Sequence, residues 1–340
     1  MWALTLVANE LRTYVSADAP PAKAAAPAEA RLRILATTDL HMQIVGHDYV
    51  RDRSVGHHGL AGIATLIRTA RQEATAKNAA CVLLDNGDLL QGSAMGNQLA
   101  QMPVTPAHPL VACLNYLGYD ALGLGNHDLD HGLPYLRAVA GALDMPLIST
   151  NLHLTEPGPL RRWSIVSCPL PAVNGQPMPP LQIGLLSVLP SKTAIWNRDV
   201  LEDGARVTCP LESLRSAAPL LRAADLVVLL AHMGIAHEGE TLTEDDVCAM
   251  AEVDGIDAVI TGHTHRRFPG LDHPARSGVD TQAGTLSQRP AAMPGFGGSD
   301  LAVLDLALER GPRGHWTVSR HKSRLPRNTA HTLADPVVLS

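Results

Sequence analysis

Five short clusters hold the residues of this chain best suited to chemistry. They read Asp39-Leu40-His41, Asp85-Asn86-Gly87-Asp88, Gly125-Asn126-His127-Asp128-Leu129-Asp130, Ala231-His232 and Gly262-His263-Thr264-His265. Each comes after a short apolar run: RILATT, CVLL, ALGL, DLVVLL and DAVI. Carboxylate, imidazole and side-chain carbonyl groups make a borderline-to-hard ligand set without thiolate, suited to Zn, Mn, Fe or Co. The set is too large for a single four-coordinate ion. Two divalent ions sharing a bridging carboxylate would use all of it. A plainer reading exists for any one cluster. A strand-end Asp is often a helix N-cap, and a lone His such as His232 is more often a satisfied structural residue. Five clusters at the same kind of position outweigh that reading.

Something must aim these groups at one place. The runs RILATTD (33–39), AACVLLDNGD (79–88), ALGLGN (121–126), PLISTN (146–151), LQIGLLSVL (181–189), DLVVLLAH (225–232) and DAVITGH (257–263) predict strands. DLAVLDLALE (300–309) and HWTVSRH (315–321) add two more near the end. Between them, LAGIATLIRTARQEATA (60–76) places Leu60, Ile63, Leu66 and Ile67 near one helical face. HPLVACLNYLG (108–118) and LESLRSAAPLLRAA (211–224) look similar. Alternating strands and helices predict an α/β sandwich. Nearly continuous apolar strands suit burial on both faces. In such sheets the ligand crevice lies outside the carboxyl ends of the strands, where the polar clusters fall. Gly87, Gly125 and Gly262 allow tight turns there.

Bulk properties set the frame. The 340 residues are 46% hydrophobic and 18% charged, ample material for a core. A formal net charge of −6 argues against binding polymeric nucleic acid, which needs a basic face. A small anionic substrate stays open, because bound cations can reverse the local field. The five cysteines lack CxxC spacing, so neither a disulfide framework nor a zinc knuckle is expected. No apolar run is long enough to span a membrane. Residues 1–30 read as a leader, linker or disordered lead-in, Ala/Pro-rich over 17–29, with no convincing secretory signal. Residues 326–340 read as a tail.

The order DxH, GD, GNH, H, GHxH resembles the calcineurin-like metallophosphoesterase superfamily. DNGDLLQGS, HPLVACLNYLGYDALGLGNHDLDHG, VDGIDAVITGHTHRRFPG and MPGFGGSDLAVLDL extend the resemblance to its 5′-nucleotidase branch. Within it, they are most similar to catalytic domains that cleave 2′,3′-cyclic nucleotides and 3′-nucleotides. The resemblance covers about residues 31–325. It implies a four-layer α/β/β/α sandwich of two mixed sheets flanked by helices. It places one metal on Asp39, His41 and His265, and the other on Asn126, His232 and His263. Asp88 bridges them. His127 is not a ligand; it pairs with Asp130 and acts on the substrate.

The resemblance implies hydrolysis of nucleotide phosphoesters by in-line attack of a metal-activated hydroxide. Asp130 would fix the His127 tautomer, and His127 would stabilise the transition state or protonate the leaving oxygen. No protein partner is inferred. A periplasmic setting is implied. The chain departs from its relatives in carrying Asp130 where many have Asn, and Gly297 and Asp300 where many have Trp and His. Their C-terminal base-stacking domain is expected to be absent here, given only two Phe, five Tyr and four Trp. Alternatives are a 5′-nucleotidase or sugar-nucleotide pyrophosphatase, favoured by Asp130, and a non-catalytic metal-binding module on the same fold. His57 and His58 read as a solvated loop, Arg266 and Arg267 as surface charges before phosphate contacts, and Trp196 as a loop or interface anchor before a base-stacking residue. His47 and Asp48 lie in a loop that the resemblance puts near the site, with weak support from the sequence itself. His108, His153, His237 and His273 receive no role.

Overall fold

The computed structural model describes residues 29–172, 175–202, 204–236, 245–311 and 314–339. The lead-in reading of residues 1–30 therefore lies outside the described residues as far as residue 28, and so does His237.

The first strand, Glu29–Thr37, is buried from Leu32 onward. It runs parallel to Ala80–Asp85 and antiparallel to Ala302–Arg310. Ala121–Gly123 and Leu147–Ile148 continue the parallel side. Trp316–Arg324 closes the other edge and completes a six-stranded mixed sheet. In the second sheet, Leu181–Val188, Leu226–Ala231, Ala258–Thr261 and Arg289–Pro294 run parallel. Trp163–Cys168 lies antiparallel at one edge, and the short strands Thr285–Leu286 and Val279–Asp280 extend the other.

Side-chain alternation along these strands builds the layers. Ile34, Ala36, Val82 and Leu84 of the first sheet meet Leu185, Val228, Leu230 and Ile260 of the second in one apolar layer. Leu35 and Leu83 point the other way, into a core shared with helices Leu60–Ala76, Pro109–Leu117 and Gly132–Ala142. Leu186, Val227, Leu229 and Val259 pack under helices Pro210–Ala217 and Val247–Ala251. The result is helix, sheet, sheet, helix, as the resemblance implies. Both sheets are buried on both faces, which explains why their strands carry unbroken apolar runs.

The helices obey equally local rules. Leu60, Ile63, Ala64, Ile67, Ala70 and Ala74 recur at helical spacing and are all buried. Pro109 opens its helix at the first turn, and Gly118 closes it in the left-handed conformation with φ 62°. The helix expected over 211–224 ends at Ala217 and continues as a 3₁₀ turn, Ala218–Leu221. Pro219 removes a helical donor there. Several strands stop short of their expected ends for a related reason. Asp39, Asp88 and His263 take positive φ, so the extended backbone ends before them. Two strands, Trp163–Cys168 and Arg289–Pro294, and the helix Gly132–Ala142 are not expected from the sequence. The segment after residue 325 lies along the first helix. There the Asp335 N–H donates to the Ala61 carbonyl at 2.9 Å, and Thr65 Oγ1 donates to the Leu333 carbonyl at 2.7 Å. Among the described residues no helix is long and apolar enough to cross a membrane.

Candidate metal centre

The polar clusters meet at the carboxyl ends of the parallel strands from both sheets. Their backbone is strained in a consistent way. Asp39, His41, Asp88, His263 and His265 have φ of 51°, 50°, 54°, 70° and 59°. A left-handed conformation costs a non-glycine residue roughly 1–2 kcal/mol. Such strain persists only where the surroundings over-determine it, and it concentrates at functional sites. Here the loops are tied to each other. The Asp39 N–H donates to the Gly87 carbonyl at 2.8 Å, and the His41 N–H to the Asp88 carbonyl at 2.9 Å. Two glycines let the loops close. A Cβ on Gly125 would fall on the Asp88 carboxylate, and one on Gly262 would fall on Thr38 Oγ1 and Asp39.

Asp128 is the buried knot of this region. Its Oδ2 accepts from the Asp88 N–H at 2.9 Å and the Gly125 N–H at 2.7 Å. Its Oδ1 accepts from the Leu89 and Leu90 N–H groups at 2.7 and 2.8 Å. Sequence reasoning gives this residue no role. Its position in a 3₁₀ turn, three residues after Gly125, is the available signal.

Two groups of three side chains result. Asp39, His41 and His265 each present a ligand atom within 4.8 Å of the others, and so do Asp88, His232 and His263. The groups adjoin. His232 Nε2 is 3.1 Å from Asp88 Oδ2 and 3.8 Å from Asp39 Oδ1. His265 Nε2 is 3.5 Å from Asp39 Oδ1 and 3.0 Å from His41 Nε2. Tautomers are set from behind. His41 Nδ1 donates to the Gln91 carbonyl at 2.6 Å, and His232 Nδ1 to the Asn86 carbonyl at 2.8 Å. That leaves each Nε2 facing inward, the arrangement in which a ligating imidazole is usually held. Asn126 is 6% exposed, and the next N–H in the chain, that of His127, donates to Asp88 Oδ1 at 2.8 Å.

The electrostatics favour bound cations. Asp39 and Asp88 are fully buried carboxylates. Burial opposes their charge, but His232 outweighs it and holds both below the usual carboxylate range. Burial would likewise make His232 a weaker base, yet Asp88 and Asp39 raise it to about 10. The carboxylate pair thus demands positive charge. Burial and His232 push His263 down to about 4, and burial lowers His41. Both shifts favour the neutral imidazole, the form that ligates metal. Asn126 Oδ1 is buried without a hydrogen-bond partner among the described residues. Buried polar atoms are rarely left so. An unpartnered amide oxygen, converging imidazoles and buried carboxylates fit two divalent cations.

His127 stands beside this set, its ring centroid 5.7 Å from that of His41. Its Nδ1 donates to Asp130 Oδ2 at 2.7 Å. That bond raises the His127 pKa against a partial burial that lowers it. Two aromatic rings cover the last cluster. Trp196 stacks on His263 with centroids 5.6 Å apart, and Phe296 on His265 at 4.6 Å. The sequence marks Trp196 as a loop or interface anchor, with stacking on a base as the lesser alternative, and gives no reason to single out Phe296. His58 reaches this rim through Phe296 at 5.1 Å, whereas His57 is exposed. Arg267 pairs with the buried Asp300, Nε to Oδ2 at 2.7 Å. His47 faces Asp52 at 3.2 Å in a separate hairpin.

Residues 32–267 match the model of the calcineurin-like phosphoesterase family. The chain is 35% identical, over 86% of its length, to a 2′,3′-cyclic-nucleotide 2′-phosphodiesterase/3′-nucleotidase of Salmonella typhimurium, covering 45% of that protein. It is 32% identical, over 90% of its length, to the trifunctional nucleotide phosphoesterase YfkN of Bacillus subtilis, covering 21% of it. The chain thus spans less than half the length of these relatives. Its fold matches the crystal structure of the calcineurin-like phosphoesterase YfkN from Bacillus subtilis with a TM-score of 0.80 at 30% identity, covering 91% of this chain and 95% of that one. A 5′-nucleotidase-type structure from Staphylococcus aureus shares the fold at a TM-score of 0.68 and 22% identity, covering 88% of this chain and 55% of that one. The chain belongs to the calcineurin-like phosphoesterase family.

Proposed function

We propose that this chain hydrolyses nucleotide phosphoesters, with 2′,3′-cyclic nucleotides and 3′-nucleotides as substrates. The observation that carries the reading is the adjoining pair of three-residue groups, with Asp39 and Asp88 buried between four imidazoles. Relatives named for this activity, at 35% identity over most of the chain, support the substrate class.

In this reading Asp39, His41 and His265 would hold one divalent cation, Asn126, His232 and His263 would hold the other, and Asp88 would serve both. Two such cations, when bound, supply Lewis acidity to phosphoryl oxygens and make water a stronger acid. The chain's own residues do the rest. Gln91 and Asn86 carbonyls fix the imidazoles of His41 and His232, so that Nε2 of each is available. Asp130 keeps the hydrogen of His127 on Nδ1 and raises its basicity. His127 Nε2 can then carry a second proton and present it to a phosphoryl or leaving oxygen. Trp196 and Phe296 shield one face each of His263 and His265.

Metal analysis together with a panel of 2′,3′-cyclic AMP, 3′-AMP and 5′-AMP tests the reading. Near two metals per chain and phosphate-ester cleavage of the first two compounds are expected. Negligible metal uptake, with no hydrolysis under added Mn or Zn, would end it. Preference for 5′-AMP would move the assignment to a 5′-nucleotidase, which Asp130 favours. The family resemblance also supports a periplasmic setting, and activity retained inside the cytoplasm after osmotic shock of the host would contradict it.

A further inference from the structure

We infer that Asn197 is a positioning residue: its side-chain amide fixes Asp130, and through Asp130 the ring of His127. The inference rests on the role proposed for His127 and Asp130. Its basis is a continuous chain of hydrogen bonds. His127 Nδ1 donates to Asp130 Oδ2 at 2.7 Å, and Asn197 Nδ2 donates to Asp130 Oδ1 at 2.9 Å. Both carboxylate oxygens are thereby committed, each to a different partner.

The three residues differ in how firmly they are held. The side chains of His127 and Asp130 are 44% and 29% exposed, whereas Asn197 is 7% exposed. Two half-open side chains on a 3₁₀ turn could drift as a pair. The buried amide is the fixed end. Asn197 joins two short helices, Thr193–Trp196 and Arg198–Glu202. Its N–H donates to the Thr193 carbonyl at 3.0 Å, and its carbonyl accepts from the Leu201 N–H at 3.0 Å. Thr193 and Leu201 are both buried. The preceding residue, Trp196, stacks on His263. One turn thus grips the dyad with Asn197 and a candidate metal ligand with Trp196. It does so from 67 residues beyond Asp130, so no local sequence pattern reveals it.

The chemistry at position 197 is specific. An amide donates to a carboxylate; a second carboxylate at the same place would face Asp130 with like charge. Misplacing a reacting group by about 1 Å can cost on the order of a hundredfold in rate. Asn197 acts on position alone, so its loss should fall on kcat.

Two variants of the full chain, loaded with Zn, test this: Asn197→Ala and Asn197→Asp. The expected result is a fall in kcat of about tenfold or more for each single Asn197 variant at pH 8, within the range for lost positioning. KM and bound metal should change less than about twofold. Nitrogen-15 signals of the His127 ring give a readout independent of turnover. They should report a single Nδ1–H tautomer in the wild type and a mixture in Asn197→Ala. An unchanged kcat, or an unchanged His127 tautomer, in Asn197→Ala overturns the inference. Should the wild type cleave no phosphoester, the functional proposal falls, while the ring signals still decide the role of Asn197.

Discussion

At the scale of single residues, the centre divides into groups that would hold metal and groups that would not. The division makes opposite predictions for neighbouring positions. Asp88 and His232 are buried, adjoin both three-residue groups, and contribute to the charge balance of the cavity. Replacing Asp88 by Asn, or His232 by Ala, should remove bound metal and activity together. Loss of even a supporting partner typically costs 10- to 100-fold in metal affinity, and loss of a ligand costs more. His127 meets Asp130 through its ring nitrogen and the Asp88 carboxylate through its backbone N–H. His127→Ala should lower kcat by roughly 10²–10⁴-fold, the usual worth of a general acid or base, with metal content unchanged. Elemental analysis alongside kinetics separates the two classes. Full activity in metal-free, chelator-treated His127→Ala protein would sink the scheme.

At the scale of elements, strand ends and loops are unequally legible. Apolar runs such as DLVVLLAH and DAVITGH locate the buried strands because both of their faces are covered. The polar residues beyond them are legible for the same reason, since they stand where those runs stop. What holds the loops together is not. Asp128 accepts from N–H groups 38 to 40 residues upstream, at Asp88, Leu89 and Leu90, and such a partnership leaves no periodic trace. The edge strand Trp163–Cys168 escapes sequence reading because its burial alternates weakly and, among the described residues, one edge faces no partner strand. The positive φ at Asp39, His41 and Asp88 is likewise invisible, because those residues are not glycine. The strain predicts where the loops are weakest. Burial and the Asp88 charge push the Asp128 carboxyl up to about 6, against four backbone donors that favour its charge. Asp128→Ala leaves those four N–H groups without their acceptor. At about 1–3 kcal/mol for each buried donor left unpaired, and allowing for partial relaxation, the loss should exceed roughly 3 kcal/mol. Urea denaturation of the metal-free protein reads this directly. A change below about 1 kcal/mol would show that water or loop movement replaces the carboxylate, and that the knot does not hold the Asp88 turn.

At the scale of the whole molecule, the sheet that carries Asp39 and Asp88 is closed by strands from the far end of the chain. Ala302–Arg310 pairs directly with the first strand. The join includes a buried cation. Arg33 has a fully buried side chain, donates to both oxygens of Asp305 at 2.6 and 2.9 Å, and reaches Glu73 on the first helix at 2.9 Å. Arg324 meets the same Glu73 oxygen at 2.6 Å. Strand, helix and C-terminal hairpin are thereby linked across 272 residues of sequence. None of this is readable in advance, because Arg33 sits inside an apolar run and its partners come from distant segments. The cluster makes stability depend on acidity in a defined window. Burial pushes the Glu73 carboxyl up, but the Arg33 hydrogen bond and the Arg324 charge outweigh it and hold the group below its ordinary 4.5. A carboxyl depressed in the folded state stabilises above its unfolded pKa and loses that contribution as pH falls through the folded value. Wild type and Glu73→Gln, unfolded by urea in the presence of chelator, should therefore differ by a constant amount above about pH 5, near the unfolded glutamate value. The gap should close progressively below pH 4.5. Glu73 is 42% exposed, so solvent screening keeps the gap near or below about 1 kcal/mol. A gap that persists undiminished to pH 3, or one that widens, would mean that Arg33 is neutralised by Asp305 alone and that Glu73 does not help bind the first helix to the sheet.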